Sequence, residues 1–498
     1  MSSTPPPPAA PAAYQADFTR KWWIMLSVAM GTFMSTIDGS IVNIALPTLE
    51  EELHTSFATV QWVVVSYLLV ITSLMLGIAR LADMIGKKRI YLSGMAVFTA
   101  ASLLCGVAPS IGFLIGFRAL QGIGAAMIQA LGIAIVTENF PRTERGRALG
   151  IMGTVVSLGI SLGPTLGGLL IGTIGWRAIF LVNLPVGIAG LLLARRNVPD
   201  WRPPGGQRFD WLGALLMFST LVALALGLTF GPDAGWDSPA IRGLLGSAAL
   251  GLIVFILVEA RLPQPMIDLR LFRDPLFSIS LLTGLMVFVV ISGQFVLPFY
   301  LELVKGYAPQ QVGLFLTAVP VSLGLTAPIA GALSDRYGSR GITILGLIVV
   351  AFACYSISTL NEDMSTPGYF IRLLPLGLGA GLFQSPNNSA IMGSAPHERL
   401  GVASGLLALS RTLGQVTGIP LLGAIFASQV LHTADLPSGV DVTDAPPWAI
   451  VQGIETTFLV TGGVIIVGIG LAVLAFTLER RRKQAERRLA ALPDQPHA

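Results

Sequence analysis

Runs of apolar residues, each roughly 20 residues or longer, recur along nearly the whole chain and are separated by polar segments. A run of that length forms a helix that can cross the hydrocarbon core of a bilayer. Glycine and proline are frequent inside the runs, which membrane helices tolerate. The pattern predicts an all-α polytopic membrane protein with fourteen transmembrane helices, over residues 22–47, 60–80, 90–108, 112–137, 147–172, 177–196, 210–230, 241–260, 276–301, 311–333, 341–360, 369–393, 401–430 and 452–478.

The composition agrees with a membrane protein and argues against an enzyme. Of the 498 residues, 53% are hydrophobic and only 12% are charged, against roughly 25% charged in soluble domains. Cys105 and Cys354 fall inside apolar runs and the four histidines fall in loops or tails, which disfavours a disulfide framework, a metal site and a histidine proton relay. Because no nucleophile–base pattern or phosphate loop occurs, we expect neither an enzyme nor a cofactor.

Lysine and arginine are concentrated in alternate loops. The loops of one side hold only Arg177, Arg242 and Lys305, and most of the other basic residues belong to the opposite side. The positive-inside rule then predicts that both termini lie in the cytoplasm. We expect residues 1–21 to form a disordered tail, and residues 479–498 to form a basic tail at the lipid surface that binds no nucleic acid.

Two pairs of similar segments, about 250 residues apart, indicate an internal repeat. "ARLADMIGKKR" at 79–89 resembles "GALSDRYGSR" at 331–340, and "RGRALG" at 145–150 resembles "RLGVASG" at 399–405. Such repeats are typical of secondary transporters, which bind substrate between the repeats near the membrane midplane. The predicted arrangement is 6 + 2 + 6, with six-helix bundles over 22–196 and 276–478 and two additional helices with linkers over 197–275.

Five segments carry a family resemblance: "STIDGSIVNIALP" (35–47), "FRALQGIGAA" (117–126), "GISLGPTLGG" (159–168), "GWRAIFLVNLPVG" (175–187) and "SPNNSAIM" (385–392). In them the chain resembles the fourteen-helix drug:proton antiporters of the major facilitator superfamily, of the QacA/EmrB type. The resemblance implies a monomeric exporter in the bacterial cytoplasmic (inner) membrane. It also implies that protons drive the exporter without a cofactor, and that it acts in multidrug efflux and antibiotic resistance.

The segment after the second helix departs from the family pattern, because Ala79 replaces the usual glycine and Met84 a basic residue. Taken alone, the segment is a tight turn with basic anchors on the cytoplasmic side. The resemblance implies a gate latch, in which Asp83 accepts hydrogen bonds from a helix N-terminus or an arginine when that side is closed. The latch residues would be Asp83, Gly86 and Arg89, with Asp335, Arg336 and Gly338 in the second half.

The fifth helix contains three glycines spaced four residues apart, Gly159, Gly163 and Gly167. This spacing exposes backbone on one face, where another helix can approach closely, and Pro164 permits a bend. Ordinary helix packing accounts for the spacing. The resemblance favours a close, sliding contact between the two halves, and both interpretations stay open.

One carboxylate lies deep inside the first apolar run, Asp38 in "FMSTIDGSIVNIALP". An ionisable residue at such a depth is costly and is a functional candidate by default. From the helical rise, Asp38 and Arg118 of the fourth helix each lie about 9 Å from the outer membrane boundary. One interpretation is a structural ion pair, or separate pairing of each group with backbone. The other makes Asp38 the proton-exchange site and Arg118 the group that favours its ionised form.

Further amide, aromatic and charged side chains in the apolar runs are candidates for the substrate cavity, although contacts that hold helices together explain each one equally well. Glu302 is a second candidate for proton exchange. Arg411 has no evident carboxylate partner, so that it either caps carbonyls or meets an anionic substrate group. The candidates are Asn43, Trp62, Tyr67, Gln121, Gln129, Gln294, Tyr300, Glu302, Gln384, Asn387, Asn388 and Arg411.

The leading hypothesis is a proton-coupled antiporter that exports lipophilic drugs or toxic compounds, cations among them, by alternating access. Export of an endogenous lipid, siderophore or natural product by the same machinery is the alternative. Uptake by proton symport is a weaker alternative, because the Gly-Pro-Gly-Gly type of fifth helix disfavours it. The partners would be a small lipophilic substrate, protons and membrane lipids.

Overall fold

The computed structural model describes residues 18–55, 57–201, 209–263, 265–307, 309–435 and 445–490. Within these ranges the chain is helical and contains no β-strand, as the apolar pattern predicts. The fourteen long helices of the described residues are α1 (Lys21–Glu52), α2 (Phe57–Ile85), α3 (Lys87–Gly106), α4 (Ile111–Asn139), α5 (Arg145–Thr173), α6 (Asn183–Asn197), α7 (Trp211–Ala234), α8 (Pro239–Glu259), α9 (Pro275–Ser292), α10 (Ala318–Tyr337), α11 (Ser339–Ser358), α12 (Thr366–Ser394), α13 (Leu400–Thr433) and α14 (Pro447–Ala490). Two shorter helices, Ala178–Leu181 and Pro309–Leu316, precede α6 and α10.

Thirteen spans of the described chain are long and apolar enough to cross a membrane. The remaining long helix, α12, has 29 residues and contains Pro375 and Pro386, and it also carries a polar segment with Gln384 and two asparagines. It packs against α10 and α11, so that its polar residues are placed among protein. The chain has the architecture of a multi-pass membrane protein, and a membrane crossing by α12 stays a prediction.

The sequence predicts one continuous helix for the ninth apolar run, but the structure interrupts it. After α9 come a 3-10 turn (Gly293–Val296), a short helix (Leu297–Phe299) and a π-helical turn (Tyr300–Val304). Pro298 has no backbone N–H to donate to the preceding turn, which breaks the hydrogen-bond ladder there. The run therefore changes its helical form in its second half.

The long helices form two groups. In the first group α4 packs against α2 and α3, and α1 packs against α5 and α6. In the second group α12 packs against α10 and α11, and α9 packs against α13 and α14. This correspondence follows the internal repeat of the sequence. The groups meet where α5 packs against α10 and α2 against α13, and these four helices form the seam between the two halves.

The two additional helices lie beside this seam. α7 and α8 pack against each other, and α7 also contacts α2 and α13. Asp210 caps α7 by accepting a hydrogen bond from the backbone N–H of Gly213 at 2.9 Å. At the end of α8, Glu259 accepts a hydrogen bond from the backbone N–H of Ile267, in the linker to α9, at 3.2 Å. The hairpin is therefore attached to both halves.

Polar contacts define the two ends of the bundle. Lys21 and Glu144 form an ion pair at 2.5 Å, which brings the starts of α1 and α5 together. Arg340 and Glu479 form an ion pair at 2.9 Å between the start of α11 and the last third of α14. We call this end the terminal face. The other end, the opposite face, is marked by the hydrogen bond from the Tyr300 hydroxyl to the Asn361 carbonyl at 2.8 Å.

Candidate transport site

Asp38 and Arg118 form an ion pair in the interior of the first half. The Arg118 Nη1 to Asp38 Oδ2 distance is 2.5 Å, and the two residues are 0% and 1% exposed. The other oxygen, Oδ1, accepts hydrogen bonds from the side-chain amides of Gln121 and Asn183, both at 2.9 Å. The carboxylate thus has a positive partner and two amide donors, which is what a buried charge requires.

Arg118 is itself held from several directions. Its Nε donates to the carbonyl oxygen of Val63 at 2.9 Å, and its Nη1 donates to Gln121 Oε1 at 2.7 Å. The guanidinium carbon lies 4.1 Å from the centre of the Tyr67 ring, a cation–π distance. The position of Arg118 relative to α2 is therefore fixed, and α2 is one of the four seam helices.

Two residues of this network, Asn183 and Ser102, were not predicted from the sequence. Asn183 lies in the first turn of α6, within the quoted segment "GWRAIFLVNLPVG". Ser102 of α3 accepts a hydrogen bond from Gln121 Nε2 at 2.8 Å. An asparagine inside an apolar run was a detectable signal for Asn183. A serine in a membrane helix gives no such signal, because serine commonly bonds to its own helix backbone.

A small central cavity of about 60 Å³ lies between the two halves. From the helical rise, Thr32 of α1, Gln129 of α4 and Arg411 of α13 are each about 16 Å from the terminal-face end of their helices, near the midplane. Residues from both halves form its walls, as alternating access between the halves requires. They are Thr32, Ser35, Thr36, Gln129, Gly132, Ile133, Leu149, Met152, Gly153, Val156, Asn388, Leu407, Ala408 and Arg411.

The cavity and the ion pair are linked through α1. Ser35 lines the cavity and lies one helical turn from Asp38. Its carbonyl oxygen accepts a hydrogen bond from the Tyr67 hydroxyl at 3.1 Å, and the Tyr67 ring lies against Arg118. A displacement of α1 at the cavity would therefore also move Tyr67 and Arg118, which hold Asp38 in place.

Five of the predicted substrate residues line the cavity or contact Asp38 and Arg118. Gln129, Asn388 and Arg411 are in the cavity wall, whereas Tyr67 and Gln121 contact the ion pair. Gln384 is buried with its Oε1 beside Gly153, a cavity residue. The side chain of Asn43 lies outside the described part of the chain.

The structure does not bring the remaining predicted substrate residues to the cavity. Trp62 packs 5.5 Å from the ring of Phe230 on α7. Tyr300 bonds at the opposite face, and Glu302 is exposed within the π-helical turn that follows the break at Pro298. The remaining two amides bond to backbone carbonyls, Gln294 to Ile291 at 3.1 Å and Asn387 to Ser280 at 3.0 Å. Their polar groups are thus used in local or helix-to-helix contacts.

At the terminal face, Asp83 at the end of α2 caps the first turn of α13. Its two oxygens accept hydrogen bonds from the backbone N–H groups of Gly401 and Val402, both at 2.9 Å. Lys87 lies 2.8 Å from Asp83 and 2.8 Å from Glu138 of α4. Since a helix N-terminus carries partial positive charge, the carboxylate stabilises this contact across the seam.

Asp335 at the end of α10 makes the equivalent contact with α5. Its oxygens accept hydrogen bonds from the backbone N–H groups of Gly146 at 2.8 Å and Arg147 at 2.9 Å. Gly86 and Gly338, at the turns that follow, have φ values of 106° and 89°, which favour glycine. The two arginines expected in the latches, Arg89 and Arg336, are exposed.

Gly159 and Gly163 of the α5 motif face α1 of the same half, which corresponds to the ordinary helix packing that the spacing also allowed and not to a contact with the other half. A Cβ on Gly159 would lie 2.8 Å from Thr36 Cβ, and one on Gly163 would lie 2.8 Å from Ser40 Cβ. Gly150 instead faces α10, where a Cβ would lie 2.7 Å from Pro328 Cα. Nine residues separate Gly150 from Gly159, about 180° around a helix. Gly167 is buried, and the side chain of Pro164 is not among those described.

Comparison with known proteins places this architecture. The family model described as Major Facilitator Superfamily matches residues 28–419 and 283–496. The chain is 33% identical over 463 residues to the riboflavin transporter RibZ of Clostridioides difficile, covering 91% of this chain and 97% of that protein. It is 35% identical over 413 residues to the multidrug resistance protein Stp of Mycobacterium tuberculosis, covering 82% and 77% of the two chains.

The solved structures agree in fold. The human organic anion transporter MFSD10 (TETRAN) superposes with a TM-score of 0.65 at 15% identity, over 91% of this chain and 99% of the other. At that identity the likeness concerns the fold alone. Proteins of the matched family are membrane transporters of small molecules and not enzymes. With a family model that spans most of its length and relatives above 30% identity, the chain belongs to the major facilitator superfamily.

Proposed function

We propose that the protein is a proton-coupled antiporter that exports small lipophilic compounds from the bacterial cytoplasm by alternating access. The observation that carries the proposal is the buried Asp38–Arg118 pair, one helical turn from a central cavity that both halves line. Intramembrane ionisable residues are typical of proton pathways in transporters. The name of the relative Stp, a multidrug resistance protein, supports export of toxic compounds.

Proton exchange would occur at Asp38. Protonation removes the negative charge that Arg118 and the two amides stabilise, so it weakens every contact of the carboxylate. Because Arg118 is bonded to α2 through Val63, its release would change how α1 and α2 pack. In this scheme a proton taken up from outside allows the cavity to open toward the cytoplasm. Loss of the proton to the cytoplasm then returns the protein to its starting conformation.

The terminal face would be the cytoplasmic side, in accord with the distribution of basic residues. Asp83 and Asp335 would then act as two latches of the cytoplasmic gate, each capping a helix of the other half. Both latches are closed in this conformation. We expect them to part when the cavity opens to the cytoplasm to receive substrate.

Export of an endogenous compound by the same machinery is the second candidate. The relative RibZ, which covers nearly the whole chain, is named as a riboflavin transporter, so riboflavin belongs in any substrate panel. Lipids, siderophores and natural products belong there for the same reason.

The test is reconstitution of the purified chain in liposomes with an imposed pH difference. We expect riboflavin or at least one of a panel of lipophilic dyes and antibiotics to move against the direction of proton flow, with matching dissipation of the pH gradient. Asp38→Asn should abolish the coupled movement. Since that change leaves Arg118 without its carboxylate partner, the double variant Asp38→Asn/Arg118→Gln, which removes both buried charges, serves as a comparison and should be equally inactive.

The matched control is Asp363→Asn, which removes a carboxylate from an exposed position near the opposite face. It should transport like the unmodified chain. Proton-coupled transport by Asp38→Asn at the unmodified rate would contradict the assignment of Asp38, and no proton-coupled movement of any compound would contradict the antiporter proposal.

A further inference from the structure

The walls of the central cavity carry a single charged side chain among the described lining residues, that of Arg411. The other polar groups are the hydroxyls of Thr32, Ser35 and Thr36 and the amides of Gln129 and Asn388. No carboxylate belongs to this described lining. The fixed charge that faces a ligand here is therefore positive.

Arg411 lacks the partners that the buried arginines Arg118 and Arg340 have. Arg118 is paired with Asp38, and Arg340 bonds to Glu479 at 2.9 Å and to Ser280 at 2.7 Å. In the described part of the chain, the Nε of Arg411 is buried without a hydrogen-bond acceptor. No carboxylate there lies within ion-pair distance of Arg411. Its guanidinium carbon lies 5.2 Å from the centre of the Phe288 ring, which leaves the donors of the guanidinium available.

The location of Arg411 suits ligand binding better than a structural role. It lies on α13 at the depth of Thr32 and Gln129, which belong to the first half, so one bound molecule can contact both halves. Arginine inside a membrane protein almost always pairs or faces a water-filled cavity. Its planar guanidinium matches carboxylate, sulfonate and phosphate groups through paired hydrogen bonds.

Asp38 does not offer a competing site for a cation. Its Oδ2 is bonded to Arg118, and its Oδ1 accepts from the amides of Gln121 and Asn183. It is 0% exposed and lies outside the described cavity lining. A cationic ligand in the cavity would therefore meet Arg411 without a compensating negative charge.

We propose that the central cavity binds lipophilic compounds that carry an anionic group, with Arg411 as the residue that recognises the anion. This inference rests on the proposed function, since it takes the cavity to be the transport site. The sequence suggested that cations are among the substrates. The cavity favours amphiphilic anions instead. The apolar lining, with Ile133, Met152 and Leu407, would hold the remainder of the molecule once the cavity widens as the latches part.

The test uses three probes that share one fluorophore: dansylglycine with a carboxylate, dansylamide without charge, and dansylcadaverine with an ammonium group. Binding to the full chain in phosphatidylcholine nanodiscs is followed by dansyl fluorescence, without any pH gradient. We expect dansylglycine to bind about tenfold or more tightly than dansylamide, a ratio typical of a charge-assisted hydrogen bond, and dansylcadaverine to bind weakest.

Variants assign the preference to one residue. Arg411→Gln should remove the advantage of dansylglycine while leaving dansylamide binding unchanged, and Arg411→Lys should retain part of it. The control Arg372→Gln removes an arginine that bonds to Thr359 and the Gly368 carbonyl on α12, and it should change nothing. Equal binding of the three probes, or an advantage of dansylglycine that survives in Arg411→Gln, would overturn the proposal.

Addition of phosphatidylglycerol to the nanodiscs identifies the source of the anion. If phosphatidylglycerol competes with dansylglycine, and does so only when Arg411 is present, the anion that Arg411 recognises is a lipid headgroup. If phosphatidylglycerol does not compete, the anion is a small soluble compound. Because binding is measured at equilibrium, its result is separate from the liposome experiment. Anion selectivity without proton-coupled transport would contradict only the proposed function, and transport without selectivity would contradict only this inference.

Discussion

Asp83 and Asp335 make the same contact in opposite directions across the seam. Each lies at the end of a helix in one half, and each accepts two backbone N–H hydrogen bonds from the first turn of a helix in the other half. Asp83 is buried, whereas Asp335 is half-buried. The two contacts therefore share a geometry and differ in their access to solvent.

We expect Asp83→Asn and Asp335→Asn to loosen the terminal face to different degrees. Loss of a charged cap costs about 1 kcal/mol, which corresponds to roughly a fivefold shift toward opening for Asp335→Asn. The effect of Asp83→Asn should be larger, because Lys87 also loses a buried partner. Hydrogen–deuterium exchange at Gly401 and Val402, and at Gly146 and Arg147, reports each opening. Unchanged exchange in both variants would show that the caps do not hold the face closed.

Asn183→Ala tests the network around Asp38. The change removes one donor to the ionised carboxylate and leaves Arg118 in place. Since the carboxylate loses one of its two amide donors, the network that holds Asp38 weakens, and proton-coupled transport should fall about tenfold.

Asn197→Ala is the matched control for that change. Asn197 lies on the same helix, and its amide bonds to the Leu193 carbonyl, away from Asp38. Its transport rate should equal that of the unmodified chain. Coupled transport by Asn183→Ala at the unmodified rate would contradict a role of this network in proton exchange at Asp38.

Replacement of two arginines by leucine, the buried Arg118 and the half-buried Arg411, should have opposite effects on stability. Arg118→Leu leaves Asp38 buried without its cation, which destabilises by about 3–5 kcal/mol. Arg411→Leu removes a cation that has no anionic partner in the described structure, so the protein should become more stable. Thermal unfolding in detergent measures both. A fall in the unfolding temperature of Arg411→Leu would indicate that Arg411 stabilises the fold.

Two glycines of the α5 motif should differ in their tolerance of a methyl group. Gly163→Ala places a Cβ 2.8 Å from Ser40 Cβ, which pushes α1 away near Asp38 and should lower stability and transport. Gly168→Ala meets no atom within 4 Å and should be neutral or stabilising by about 1 kcal/mol. Thermal unfolding and transport rates separate the two, and equal behaviour would argue against close packing of α1 on α5.

The helices and the approach of Asp38 to Arg118 could be predicted from the sequence, because length, apolar runs and helical rise determine depth. The rotation of a helix about its axis is harder to predict when both faces are small and apolar. The α5 glycines illustrate this, since Gly150 and Gly159 are equally plausible contact positions and face different helices. Asn183 stood out as an asparagine in an apolar run, but its contact with Asp38 could not be predicted, because partners on distant helices depend on packing that the local sequence does not encode.

The position of α7 constrains how the molecule can move. A helix that contacts both α2 and α13 cannot travel with both when the halves separate. It must slip along one of them, and its apolar surface offers little directional resistance to sliding. In the proposed alternating-access cycle, the additional hairpin would therefore stay at the edge of the seam as a sliding contact between the two halves.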